Sequence, residues 1–336
     1  MAFVNPVLKT VERAVEDSTL VSINYNKLKA LARRYYKENL ELPKWDAPVF
    51  PNYATDETID FLMTGCAINF QYMDFQTKAR YKTEYNSIHF TGAFGMWADL
   101  KRAVEEGVPV LDGSYLAHVK YHELYEKVFK GRPEIPMLET RTIVLREVGE
   151  VLVEKYGGHF HNLYRQLEEK QSPVRIFDNG NGFLERLTTD FRTFRDTGKH
   201  GNRKVIFNKK AQLATAMVYE KFLAFGKELF PAEDTEYMTV FANYELPKIF
   251  NMEGVLIYDP GLANKIENGI VITYGKREEV EIRANTIWAA KILQDEINKL
   301  RRGKNKVNAL HVDYKLWMEG RKYKEKLHHF TPTDAY

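Results

Sequence analysis

One cysteine in 336 residues, Cys66, excludes an intrachain disulfide and a cysteine-built zinc knuckle. A reducing, cytoplasmic setting is expected. No stretch of ~18 apolar residues occurs, so no spanning helix is expected. A signal peptide is not expected either, because Lys9, Glu12, Arg13, Glu16 and Asp17 interrupt the N-terminal segment. Charge of one sign is also lacking: 49 Lys and Arg stand against 46 Asp and Glu, for a formal net charge of +3. That balance is too even for a surface that grips a nucleic acid duplex, and leaves a small anionic ligand open. Length alone would allow about two domains. With no Pro-, Gly- or Ser-rich linker and no internal repeat, a single domain over residues 1–336 is favoured, at most as two helical lobes flanking one site.

What the sequence does have is core material, 44% apolar residues and 13% aromatic ones, arranged with a helical period. In "MWADLKRAVEEG", Trp97, Leu100 and Val104 share a stripe, and Gly107 sits where a helix needs a left-handed residue to stop. "LREVGEVLVEKYGG" repeats the pattern with Leu145, Val148, Leu152 and Tyr156 before Gly157, and "TIWAAKILQDEINKLRRG" with Ala289, Leu293, Ile297 and Leu300 before Gly303. Long helices are predicted over 211–226 and 284–302. The first of these is apolar on most sides and should be buried. Strand signals are few: "GIVITYG" (Gly269–Gly275) reads as a short strand, preceded by the turn chemistry of "YDPG". The fold is therefore predicted to be mainly α and compact, with well over half of the residues in helices and at most a few short strands.

Three local motifs have competing readings. The loop "QSPVRIFDNGNG" (171–182) places glycines ahead of a helix and could cradle a phosphate, but it lacks the spacing of a Walker or Rossmann loop, so a plain turn is favoured. "HFH" (His159–His161) could hold a metal, yet no further ligands are spaced to join it; exposed histidines after a helix stop are favoured and no metal is expected. "GKHGNRK" (198–204) reads as a basic solvated turn, with an anion contact as the alternative.

The blocks "INFQY", "HFTGAFGMWADLKRAVEEGVPV", "ETRTIVLREVGEVLVEKYGG", "GNRKVIFNKKAQ", "TVFANYELPKIF", "EEVEIRANTIWA" and "VDYKLW" follow one another in this order from Ile68 to Trp317. Taken together they resemble the queuosine salvage protein family, over most of the chain. The resemblance implies an N-glycosidase that splits queuosine 5′-phosphate into queuine and ribose 5-phosphate, on a helical fold like that of DNA glycosylases. It implies a small-molecule nucleotide as ligand, with no cofactor and no duplex or membrane partner. A monomer is expected.

Cleaving an N-ribosyl bond passes through an oxocarbenium-like sugar, so a carboxylate is needed near the anomeric carbon. Asp313 is the candidate, an acid set in the apolar run "HVDYKLW"; a helix-capping or salt-bridged Asp is the competing reading. A 7-deazapurine lacks the N7 lone pair that many purine glycosidases protonate, so the departing base must be held by stacking and edge hydrogen bonds. Phe241, Tyr244, Phe90, Tyr72 and Trp288 are candidates for that contact, against core packing for each ring. His89 is a candidate hydrogen-bonding residue. Lys209 matches the family's lysine, and as a cation opening an apolar helix it could meet a 5′-phosphate or a ribose hydroxyl. The family pattern of Asp, Tyr, Arg, then Pro and Gln is held here by Asn243, Tyr244, Glu245, Pro247 and Lys248. Asn243 offers a donor and an acceptor in place of a charge. Met73, Asn208, Phe330 and Pro332 depart as well. These departures leave two alternatives: another deazapurine or purine nucleotide as substrate, or a binder without turnover.

Overall fold

The computed structural model describes residues 5–302, 304–323 and 326–336. Helices hold 52% of the described residues, and the strands form small two-stranded antiparallel sheets. The mainly α expectation holds, with just over half of the described residues helical where well over half was expected. Both predicted long helices form, as Lys209–Ala224 and Arg277–Leu300. Most of Lys209–Ala224 is buried, as its all-round apolar sequence requires. The helix stops at Gly107 and Gly157 have φ of +79° and +54°; the stop expected at Gly303 lies outside the described residues. Among the described residues no helix is long and apolar enough to cross a membrane.

Two sequence readings are corrected. "GIVITYG" gives only a single parallel bridge, Val271 to Phe330, because the chain there runs beside one residue of the tail and finds no longer partner. "YDPG" starts a helix: the Asp259 carboxylate accepts from the Gly261 N–H at 2.8 Å and Pro260 opens Pro260–Glu267.

The chain divides into two compact units. The first comprises 1–43, 196–212 and 232–332, and its spine is Arg277–Leu300. Pro6–Glu16, Tyr25–Tyr35, Glu245–Met252 and Ala309–Gly320 pack on that spine. Its sheets pair Val21–Ile23 with Leu256–Tyr258, and Thr197–His200 with Arg203–Ile206. "GKHGNRK" is therefore the tip of a hairpin, whose His200 is tied at 3.0 Å to the buried Glu281. The core gathers Leu28, Phe250, Ile282, Leu293 and Leu316.

The second unit comprises 44–195, 213–231 and 333–336. It holds Asp56–Ala67, Ala93–Glu105, Leu138–Lys155, His161–Lys170 and Phe183–Asp190, with a hairpin of Lys82–Tyr85 and Ile88–Thr91. Its core is aromatic: Phe50, Phe61 and Trp97 lie in ring contact, with centroids 5.3 and 5.5 Å apart. Gly65 lets Trp97 lie against the Asp56–Ala67 helix, since a Cβ there would fall 1.9 Å from the indole. The 171–182 loop ends at Gly182, with the Glu185 carboxylate accepting from the Asp178 and Gly182 N–H groups at 2.7 and 2.9 Å. Those are helix-start contacts within the chain.

Candidate active site

The stretch 238–243 has no regular secondary structure although five of its six residues are buried. Buried backbone without a ladder must find partners among side chains. Gln212 takes the Thr239 N–H at 3.0 Å and donates to the Thr239 hydroxyl at 2.8 Å. Asp313 takes the Phe241 N–H at 2.7 Å. Arg283 donates from Nε to the Ala242 carbonyl at 3.2 Å. Asn243 then opens the next helix: its side-chain oxygen accepts from the N–H groups of Glu245 and Leu246 at 2.8 and 3.3 Å, a capping arrangement at Glu245–Met252. Most of an otherwise orphaned segment is thus fixed by side chains from separate helices.

Asp313 projects from Ala309–Gly320 and is 7% exposed. One carboxylate oxygen holds Phe241, and the other accepts no hydrogen bond among the described residues. Burial pushes the acid up to about 7, against the Phe241 N–H and the Lys209 charge, which both favour the anion. A carboxyl poised near neutrality and held at one oxygen only is suited to act on a ligand. Lys209 is buried at the start of its helix, where its N–H donates to Asp196 at 3.2 Å. Tyr244 donates to the Thr331 carbonyl at 2.6 Å, and its ring lies 4.5 Å from His328 and 5.2 Å from His329. Burial drives His329 well below the usual histidine range, assisted by the charges of His328 and Arg283, so it is neutral near pH 7. Phe241 is buried at 5% exposure, while Trp288 is half-buried and packs on the core of the first unit.

Asp313, Lys209, Phe241, Asn243 and Tyr244 therefore belong to the first unit and are linked through one segment and its braces. His89, Phe90 and Tyr72 belong to the second. His89 and Phe90 lie on the Ile88–Thr91 strand, with the His89 side chain 81% exposed and 3.8 Å from Glu84. Tyr72 donates to Asn69 at 2.8 Å, and its ring faces the Arg141 guanidinium at 5.5 Å. Arg141 is fully buried, donates to the carbonyls of Phe70, Gln71 and Pro136, and is lowered to about 10 by burial.

Sequence reasoning missed a buried ionic group beside this segment. Arg283 grips Asp196 through both terminal nitrogens, at 2.9 and 2.5 Å, and reaches Glu279 at 3.1 Å. Tyr274 adds its hydroxyl to Asp196 at 3.1 Å. The helix Arg277–Leu300 carries part of this group on its buried face, where Glu279, Glu281 and Arg283 stand among mostly apolar residues. The departures from the family pattern also find a physical account. Glu245 and Lys248 form an ion pair at 2.6 Å, so the two changes neutralise each other on one helix turn. Asn208 has φ of +48°, a left-handed conformation that Asn tolerates, and its side chain accepts from the Asp196 N–H at 3.2 Å. Phe330 is fully buried, with its ring over Gly269.

A family model described as queuosine salvage protein matches residues 49–334. The chain is 31% identical to the queuosine 5′-phosphate N-glycosylase/hydrolase of Sphaerobacter thermophilus over 316 residues, covering 94% of this chain and 92% of that protein. It is 26% identical to the protein of the same name from Mus musculus, covering 82% and 80%, and 24% identical to that of Schizosaccharomyces pombe, covering 94% and 93%. The match spans segments of both units and includes the buried Asp313. The chain belongs to the queuosine salvage protein family.

Proposed function

We propose that this chain is a nucleotide N-glycosidase that hydrolyses queuosine 5′-phosphate to queuine and ribose 5-phosphate, thereby serving queuine salvage. Segments 49–334 of both units act as one catalytic domain in this reading, because the family match runs through them. The observation that carries it is Asp313, a buried acid in the neutral range with one oxygen anchored and the other without a protein partner. As the C1′–N bond breaks, its electron pair leaves with the base and positive charge develops on the ribose. The Asp313 anion stabilises that charge and orients water, whose hydroxyl is added to C1′ and whose protons end on the products. Lys209 supplies positive charge for the 5′-phosphate. Phe241 and Tyr244 supply aromatic surface for the base. Asn243 acts by fixing the helix start at Glu245, just after Tyr244.

The direct test is incubation with queuosine 5′-phosphate and detection of queuine by mass. Stoichiometric release of queuine with ribose 5-phosphate is expected. Tight binding of the nucleotide with no release would identify a binder without turnover, and release from another nucleotide only would move the substrate assignment.

A further inference from the structure

The second unit contains a group of side chains that the glycosidic reaction does not use. His159 and His161 flank Phe160, His159 in the short connection after Leu138–Lys155 and His161 at the start of His161–Lys170. Their rings stack, with centroids 5.2 Å apart and planes 22° from parallel. Between them lies Asp60, from the middle of Asp56–Ala67, with its side chain 5% exposed. Asp60 Oδ2 is 2.8 Å from His161 Nδ1 and 3.4 Å from His159 Nδ1. Asp60 Oδ1 accepts the His161 backbone N–H at 2.8 Å, which fixes the carboxylate and leaves Oδ2 turned toward both rings. The three residues offer ligand atoms that all lie within 4.8 Å of one another.

A hydrogen-bonded helix cap explains Asp60 and His161 but not His159. The His159 Nδ1 is buried, makes no hydrogen bond, and still points at the carboxylate. Ligand distances of ~2.0–2.2 Å around a tetrahedral zinc ion place ligand atoms roughly 3.4 Å from one another. The His159 contact has that separation now, and the His161 contact needs to open by only about 0.6 Å to reach it.

We propose that Asp60, His159 and His161 form a binding site for one divalent transition-metal ion of the zinc type, with Nδ1 of each histidine and Oδ2 of Asp60 as ligands and a fourth position for water. Two imidazoles and one carboxylate select Zn²⁺, Co²⁺ or Ni²⁺ over Mg²⁺ and Ca²⁺, which require mostly oxygen ligands. The backbone hydrogen bond on Oδ1 orients the carboxylate in the way outer partners orient metal ligands. The sequence concealed the site because Asp60 stands 99 residues before His159 in the chain.

Isothermal titration of the chelator-stripped full chain with Zn²⁺, and the visible absorption of its Co²⁺ complex, test the assignment. One equivalent of Zn²⁺ should bind, Mg²⁺ should give no saturable heat, and the Co²⁺ spectrum should report nitrogen ligation at reduced coordination number. His159→Ala should weaken Zn²⁺ at least tenfold without changing the melting temperature of the metal-free chain, since the His159 Nδ1 makes no hydrogen bond there. Should His159→Ala fail to fold, His159→Gln keeps the bulk of the ring and answers the same question. Absence of a one-to-one Zn²⁺ isotherm, or an affinity unchanged in the His159 variant, would overturn the proposal.

Discussion

Two buried aspartates in the first unit stand on either side of Lys209 and have been given opposite surroundings. Asp196 is wholly buried and saturated: Arg283 on both oxygens, the Tyr274 hydroxyl, and the Lys209 N–H. Asp313 has one backbone N–H and the nearby Lys209 charge. The first is a brace whose charge is cancelled where it sits. The second is held by fewer partners, and burial raises it to about 7. The difference shows that two buried acids can be left with very different numbers of partners, and on the proposed reading the less committed one serves the reaction.

The sharpest way to break the comparison is to remove the partner that neutralises Asp196. Arg283→Met leaves Asp196 and Glu279 buried without their cation and the Ala242 carbonyl without its donor, and should destabilise the chain by ~3–5 kcal/mol. Urea denaturation measures this. A cost below about 1 kcal/mol would mean that Arg283 is not the brace described.

Neutralising Asp313 should do the reverse. Its folded-state value is raised above that of an unfolded aspartate, so ionisation works against the fold: stability falls as pH rises from about 4 to about 7 and is level beyond. Asp313→Asn should therefore be more stable than the parent by ~1–3 kcal/mol at pH 8, with the gain vanishing by pH 4. Melting curves at both pH values check the sign.

Asn243 gives a smaller effect. Asn243→Ala removes the cap of Glu245–Met252 and should cost ~1 kcal/mol. Asn243→Asp keeps the cap, places a favourable charge at a helix start, and should leave stability within about 0.5 kcal/mol while raising turnover of queuosine 5′-phosphate. Lower turnover with an unchanged fold would show that this position needs an amide. The smallest change is expected at His89, whose exposed side chain should contribute less than about 0.5 kcal/mol to stability when replaced by Ala.

How much of this was readable in the sequence follows from the range of the interactions. The helices Lys209–Ala224 and Arg277–Leu300 were legible because apolar period and length are local properties. Asp313 stood out because a charge in an apolar run is local too. The Asp196–Arg283 pair was not legible, because its partners are 87 residues apart; "GKHGNRK" beside Asp196 reads as a solvated turn until the hairpin it belongs to is seen. Asn243 was read for its chemistry toward a base, whereas its oxygen is engaged by two backbone N–H groups, a role that becomes visible only with the helix boundary at Glu245. The strand expected at "GIVITYG" failed because β-branched residues form a strand only where a neighbouring strand exists to receive them.

The central claim is that Asp313 acts as the anion on which N-glycosidic cleavage depends, and the pH dependence of kcat/KM for queuosine 5′-phosphate tests it most directly. For the parent enzyme the value should rise through an apparent pKa of about 7 and level off above it, because the carboxyl must be ionised to stabilise the ribosyl cation. Asp313→Asn should reduce it by ~10²–10³-fold and abolish that rise. An Asp313→Asn enzyme that retains the parent's rate and its pH profile would contradict the account.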